Sequence, residues 1–265
     1  MGELIFIGLG LHDETGISLR GVETARSCDM LFAEFYTNVM SGLSIPNLEK
    51  IVGMKINMLS RAQVEEQSIV VAKAKESRVG FLVPGDPLVA TTHVDLRLRA
   101  ERNGIKTRIL HAASISSAIA GTTGLQSYKF GRTVTMPSTA NENFPESIYT
   151  AIRDNQTLGL HSLILLEIDV EAKRHITIAQ ATQALLDYSS EIPDGVINPQ
   201  TLAIGVARLG APDMMIQAGR ADEVARLDFG KPPHTLIIPG RLHFVEAEAL
   251  QVLCHASRGI VNDRS

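Results

Sequence analysis

The chain has 265 residues, 45% apolar and 20% charged, with a formal net charge of −4. That length holds one large domain or two ordinary ones with a sizeable core, and the charge leaves no basic footprint for wrapping nucleic acid. No stretch approaches the ~18 apolar residues of a membrane span, and the two cysteines, Cys28 and Cys254, are far apart, so they read as reduced, mostly buried thiols rather than metal ligands.

Leu4 to Leu9 is an apolar run and predicts the first strand. The residues before it carry no basic segment, so no signal peptide is expected and a cytoplasmic protein is. The run ends in Gly8-Leu9-Gly10-Leu11-His12-Asp13, the beginning of a dinucleotide fingerprint whose third glycine is replaced by Asp13. Without that glycine the next helix cannot pack on the strand in the dinucleotide manner. What survives is a glycine turn that lets a ligand approach the backbone. Ser18 is the expected cap of a helix over Leu19 to Cys28. Met30 to Phe35 predicts the second strand, and Glu34 at its end sits where a ribose-binding acid would be. Tyr36 to Gly53 is irregular or partly helical, and Lys55 to Leu59 is a third strand. Ser60-Arg61-Ala62-Gln63 is a capping box for a helix running to about Glu76.

Val79 to Val83 reads as a strand buried on both faces. It breaks at Pro84-Gly85-Asp86-Pro87. Gly85 can take positive φ or admit a ligand, Asp86 suits a helix N-cap and Pro87 its first position, so a helix to Gly104 is expected. His93 then falls one to two turns into that helix. The stretch can be a stiff turn with a capping aspartate, or the ligand edge of an open α/β sheet. Arg97, Arg99 and Arg102 on this helix read as a solvated face. Lys106 to Leu110 is a fifth strand, followed by His111-Ala112-Ala113-Ser114-Ile115-Ser116-Ser117, which opens a helix of small residues over Ala118 to Gly124. Its N-terminal N–H groups favour an electron-rich group, a role compatible with capping by Ser114. Alternating strands and helices predict a parallel sheet.

The pattern changes near Tyr128 to Arg132, with a domain joint expected at Gly131. The expected domains are therefore 1–131 and 132–265, with a cleft between them. Strands are expected at Thr133 to Met136, His161 to Ile168, Thr201 to Ala207, Met214 to Ala218 and Thr235 to Ile238. Helices are expected at Pro145 to Asn155, Ile176 to Tyr188, Asp222 to Leu227 and Leu242 to His255. Ser138 to Pro145 is a polar loop long enough for a lid. More strands per residue suggest a mixed sheet here. The fold class is thus α/β, with a mostly parallel first sheet and a mixed second one.

The sequence holds no G-x-x-x-x-G-K-[ST], H-E-x-x-H, G-x-S-x-G or C-x-x-C. Its eight histidines are scattered, and none pairs at i, i+4 as a metal site would. A ligand is then held mainly by backbone groups, glycine turns and apolar contacts.

Several segments resemble the diphthine synthase family of the tetrapyrrole-methylase-like superfamily. They are Gly8 to Leu11, Phe32 to Thr37, Pro84 to His93, His111 to Ile115, Tyr128 to Gly131, Pro232 to His234 and Pro239 to Glu248. The resemblance covers essentially the whole chain. It implies an S-adenosylmethionine-dependent N-methyltransferase without a metal, usually a homodimer, that leaves S-adenosylhomocysteine. The substrate it implies is the modified histidine of elongation factor 2, whose amino group is methylated, and in archaeal members trimethylated, to diphthine during diphthamide synthesis. The cofactor contacts it implies are Leu11, Asp86, Val89, Ser114, Ile115, Leu166, Leu209 and His234, several through backbone atoms. It assigns no residue as a catalytic base. The sequence departs from the family pattern at Ala113, where proline is expected, and at Leu209, where a smaller residue is common. Two other readings remain open on residues alone: methylation of a corrinoid, and a non-catalytic nucleotide-binding module.

Overall fold

The computed structural model describes residues 2–170, 172–193 and 195–262. The chain forms two compact units, the first ending at Ser116 and the second beginning at Ser117.

In the first unit the elements are β1 (Glu3–Gly8), α1 (Leu19–Arg26), β2 (Met30–Ala33), α2 (Ile45–Val52), β3 (Ile56–Met58), α3 (Arg61–Glu65), α4 (Ile69–Lys73), β4 (Arg78–Val83), α5 (His93–Arg102) and β5 (Lys106–Leu110). The strands form one sheet in the order β3-β2-β4-β1-β5, every pair parallel. The continuous apolar runs follow from burial on both faces. Along β1, Leu4 and Phe6 join a cluster with Phe32, Phe81 and Leu96, whereas Ile5 and Ile7 join one with Leu31, Ala33 and Leu82 on the other face. The expected parallel sheet is therefore present, with its expected caps: Ser18 accepts from Gly21 N at 3.0 Å, and Ser60 with Gln63 forms the capping box.

Four local expectations are corrected. The helix from Ser60 does not run to Glu76. It breaks at Ser68, which takes φ +51°, and Arg99 Nη1 donates both to Glu65 O, at 2.8 Å, and to Ser68 Oγ. The guanidinium thus ends α3, and Arg99 is not merely part of a solvated face. Asp86 and Pro87 do not start a helix. Ala90 sits at φ +55°, and Pro87 O, which would accept the fourth N–H along a helix, instead accepts from Thr91 Oγ1 at 3.0 Å and His93 Nδ1 at 3.1 Å. Helix α5 begins only at His93, so that histidine opens the helix instead of lying inside it. Gly104, at φ +71°, closes it as expected.

The chain passes into the second unit through α6 (Ile115–Thr123), which starts three residues earlier than expected. Then come β6 (Val134–Met136), α7 (Glu146–Thr157), β7 (Ser162–Leu166), β8 (Ile168–Asp169), β9 (Arg174–His175), α8 (Ile178–Ser190), β10 (Leu202–Ala207), β11 (Met215–Arg220), α9 (Ala221–Val224), β12 (His234–Ile238), α10 (Phe244–Leu253) and α11 (Arg258–Asn262). The main sheet has the order β11-β10-β12-β7-β6. All its pairs are antiparallel except β6 with β7, so the sheet is mixed as expected. Met136, Ile164, Leu236, Ile238 and Ala203 pack against Ile152, Ile178 and Leu185 of α7 and α8. The short β8–β9 pair and α11 carry no clear sequence signal.

Both cysteines are buried free thiols. Burial pushes Cys28 up to about 11 and Cys254 up to about 12, so neither is a thiolate at neutral pH. No helix among the described residues is long and apolar enough to cross a membrane. Among them no group of three His, Cys, Asp or Glu side chains is placed to hold a metal.

Candidate functional site

Five of the eight candidate contacts lie on one edge of the first unit. Strands β4, β1 and β5 are neighbours, and their C-terminal ends carry Leu11, Asp86 with Val89, and Ser114 with Ile115. Ligands of open α/β sheets occupy this edge. Sheet pairing continues past β1 and β4 into their turns. Leu9 N donates to Val83 O at 2.9 Å, Gly10 N to Gly85 O at 3.2 Å, and Gly85 N to Gly10 O at 2.9 Å.

The glycines of the two turns have different reasons. A Cβ on Gly8 would lie 2.7 Å from both Gly85 O and Ala112 Cβ, and one on Gly10 would lie 2.7 Å from Gly16 O. The first turn therefore needs glycine for packing. A Cβ on Gly85 would meet nothing nearer than Ser114 Cβ, at 3.9 Å, although φ of +67° still favours glycine. The backbone of the Pro-Gly-Asp-Pro turn is the open one. Gly8→Ala is expected to force the turns apart at a cost of about 1–3 kcal/mol, read as a lower urea midpoint with an unchanged slope.

Asp86 joins the turns after β4 and β5. Its Oδ1 accepts from Leu88 N at 3.3 Å, and its Oδ2 accepts from His111 Nδ1 at 2.7 Å and Ala112 N at 3.3 Å. The carboxylate is buried and the His111 ring is exposed. His111 was not singled out by the sequence. It lies at the end of a strand and within a segment that resembles the family, but strand order, which brings it to Asp86, is not readable from one chain. Ser114 is buried, Ile115 is half-buried and Val89 is exposed.

The other three candidates gather at one end of the second sheet. Leu166 ends β7, Leu209 follows β10 and His234 begins β12, which lies between those strands. Antiparallel pairing sets His234 opposite Ala207. His234 is buried, and its Nδ1 accepts from Ile178 N at 3.4 Å, so in the neutral ring the proton is on Nε2. Nε2 has no hydrogen-bond partner among the described residues. Burial holds His234 below the ordinary histidine range. His175 and Arg208 act the same way, and the Gly230 and Lys231 carbonyls oppose them. The ring lines a cavity of about 220 Å³ with Ile178, Ala179, Leu227 and Phe229.

Arg208 was missed in the sequence and shapes this end. It takes φ +53°, and its guanidinium donates to Asp213 Oδ2 at 2.8 Å, Phe229 O at 2.8 Å and Lys231 O at 2.5 Å. Its own N–H donates to Pro233 O at 2.8 Å. One side chain thereby ties the turn bearing Leu209 to the segment entering His234. The expected loop at Ser138 is anchored at its base, where Ser138 N and Oγ donate to Glu167 Oε2 at 2.8 and 3.0 Å.

The family model for tetrapyrrole (corrin/porphyrin) methylases matches residues 3–225. A diphthine synthase of Methanothermobacter thermautotrophicus is 43% identical over 97% of this chain and 98% of its own. One of Methanosarcina barkeri is 44% identical over 98% and 99%. A crystal structure of a diphthine synthase superposes with a TM-score of 0.89 at 34% identity, covering 98% of this chain and 99% of the other. A putative diphthine synthase from Entamoeba histolytica gives 0.87 at 34% identity, covering 97% and 99%. Fold, sheet orders and relatedness along nearly the whole length agree, and the chain belongs to the tetrapyrrole methylase family, among its diphthine synthases.

Proposed function

We propose that the protein is the cytoplasmic methyltransferase of diphthamide synthesis, which uses S-adenosylmethionine to methylate the aminocarboxypropyl-histidine of elongation factor 2 to diphthine. The observation that carries this reading is 43% identity over 97% of the chain to a diphthine synthase. A corrinoid substrate is not favoured, because relatives matched over nearly their full length are named diphthine synthases. In this reading the sequence domains 1–131 and 132–265 are the two lobes of the enzyme.

The residues fit a nucleoside cofactor. His234 presents a buried, unpartnered Nε2–H beside Phe229 and Ile178, suited to a flat heterocycle with one acceptor. The cavity of about 220 Å³ is smaller than the ~300–1,000 Å³ of whole-ligand pockets, so it suits only part of such a molecule. On the first unit, the space beside Gly85 admits such a molecule and the start of α6 offers main-chain groups. We assign Leu11, Asp86, Val89, Ser114, Ile115, Leu166, Leu209 and His234 as the contacts.

When bound, the cofactor supplies a methyl group on a sulfonium, ready for in-line displacement by an amine. The chain's task is to bind, orient and exclude water. Alignment in good cases supplies ~7–11 kcal/mol of the barrier. The accepting amine must be neutral, and desolvation lowers an amine pKa. No side chain of the site is assigned as its base. The enzyme is proposed to act as a homodimer, a reading supported by exposed Phe244, Val252 and Leu253 on α10.

Incubation with methyl-labelled S-adenosylmethionine and an elongation factor carrying the aminocarboxypropyl-histidine tests the reading. Label is expected in that factor and is expected to vanish when the histidine is replaced. Label entering a corrinoid precursor and not the factor would replace this reading with the alternative.

A further inference from the structure

Glu34 and His93 are distant in sequence and meet inside the first unit. Glu34 follows β2 with its carboxylate fully buried. Its Oε2 accepts from Tyr36 N at 3.0 Å and Thr37 N at 3.1 Å, and its Oε1 accepts from Thr37 Oγ1 at 2.5 Å. This acid holds its own loop, so the ribose-binding role suggested by its position is not open to it. His93 is 1% exposed. Its Nδ1 lies 3.1 Å from Pro87 O, and a carbonyl only accepts, so Nδ1 carries a proton and donates.

The far side of the ring is equally constrained. Nε2 lies 3.6 Å from Glu34 Oε1 and has no hydrogen-bond partner among the described residues. The Glu34 carboxylate packs against this edge of the ring without a hydrogen bond to it. Phe81 and Tyr36 pack edge-on to the ring, with centroids at 5.2 and 6.4 Å, and Arg61 covers Tyr36 at 5.2 Å. The ring has no room to swing, and Nδ1–H stays aimed at Pro87 O.

Pro87 O is the pivot of the segment between β4 and α5. It takes two side-chain donors, Thr91 Oγ1 and His93 Nδ1. Asp86 precedes Pro87 and Val89 follows two residues later. We infer that His93 is a positioning residue for the cofactor: braced by Glu34, it grips Pro87 O and sets the backbone that carries Asp86 and Val89. The inference rests on the proposed cofactor role of those two residues.

Three variants separate the two ends of the ring. His93→Asn places an amide nitrogen where Nδ1 stands and keeps the donor to Pro87 O. His93→Gln keeps a polar group only near Nε2, and His93→Leu removes both. Calorimetry with S-adenosylhomocysteine is expected to show the Leu and Gln variants about tenfold weaker, as for one lost buried hydrogen bond, and Asn near wild type. The KM for S-adenosylmethionine should rise in parallel while kcat holds. Folding is checked by circular dichroism, and if Leu does not fold, Asn against Gln decides. Equal losses in Asn and Gln, or wild-type affinity in a folded Leu variant, overturn the inference. A wild-type protein that binds no S-adenosylhomocysteine removes the cofactor reading itself, and the inference with it.

Discussion

Replacing Glu246 with alanine is expected to lower stability by about 3–5 kcal/mol, the range for removing one partner of a buried ionic network. Glu246 is the third residue of α10 and the first of that helix to be buried, with no exposed surface. Its Oε1 accepts from Gln126 N at 2.8 Å and His161 Nε2 at 2.9 Å. Its Oε2 accepts from His243 N at 2.8 Å and from Lys129 Nζ. His161 is in turn fixed by Gly240 N, which donates to Nδ1 at 3.1 Å. One carboxylate therefore joins the segment after α6, the start of β7 and the entry to α10. Alanine leaves a ring and two main-chain N–H groups without their acceptor and the Lys129 ammonium with Arg241 O, at 2.6 Å, in place of a carboxylate. The pH dependence has a definite sign. Burial alone would raise the Glu246 pKa, but the donors from His243, Lys129, Gln126 and His161 outweigh it and hold the group at about 2, against an ordinary 4.5. A depressed carboxylate stabilises the fold fully above pH 4.5 and loses that contribution as pH falls from 4.5 toward 2. Thermal melts across that range are expected to drop steeply for the wild type and less for Glu246→Gln. Equal slopes would show that Glu246 is not the group being titrated.

Asp86→Ala is expected to lower kcat/KM for S-adenosylmethionine by about 10²-fold, the scale set by an ångström of misplacement at a positioned site. The side chain accepts from Leu88 N on its own turn and from Ala112 N and His111 on the next. Losing it frees two turns at once. Asp86→Asn should also fail, since an amide in either orientation sets its NH₂ group against one of the two backbone N–H donors. His111→Ala is the contrast. Its ring is exposed, and an ion pair of that kind is worth ~0–1 kcal/mol, so turnover should stay near wild type. Steady-state kinetics on the three variants, with melts to confirm folding, separates the two main-chain bonds from the histidine. A His111 variant as impaired as Asp86→Ala would place the role in the ring.

Much of the fold was legible because local chemistry and tertiary structure agree along most of the chain. The apolar runs of β1, β4 and β10, the caps at Ser18 and Ser60, and Gly104 after α5 each state their element in a few residues. The departures have different causes. The helix expected from Pro87 is lost to neighbours, because the side chains of Thr91 and His93 occupy Pro87 O, whereas the helix expected to reach Glu76 is cut by Arg99, which arrives from a different helix. The first competitors lie within the same stretch of sequence, where capping and helix signals outweigh them; the second is not visible there. The site divides similarly. The glycine turns and the Pro-Gly-Asp-Pro stretch were readable as a ligand edge, but their union through Gly10 and Gly85 depends on strand order. Arg208, Glu34 and His93 act across 20 residues or more, and only the folded chain brings their partners to them.

The most direct measurement is a crystal structure of the protein grown with S-adenosylhomocysteine. The ligand's main-chain partners are expected at Asp86 and Ser114, and its base against His234 and Phe229 with Nε2 donating. A nucleoside bound away from both strand ends, or crystals that take up none while calorimetry registers no heat, would contradict the cofactor reading.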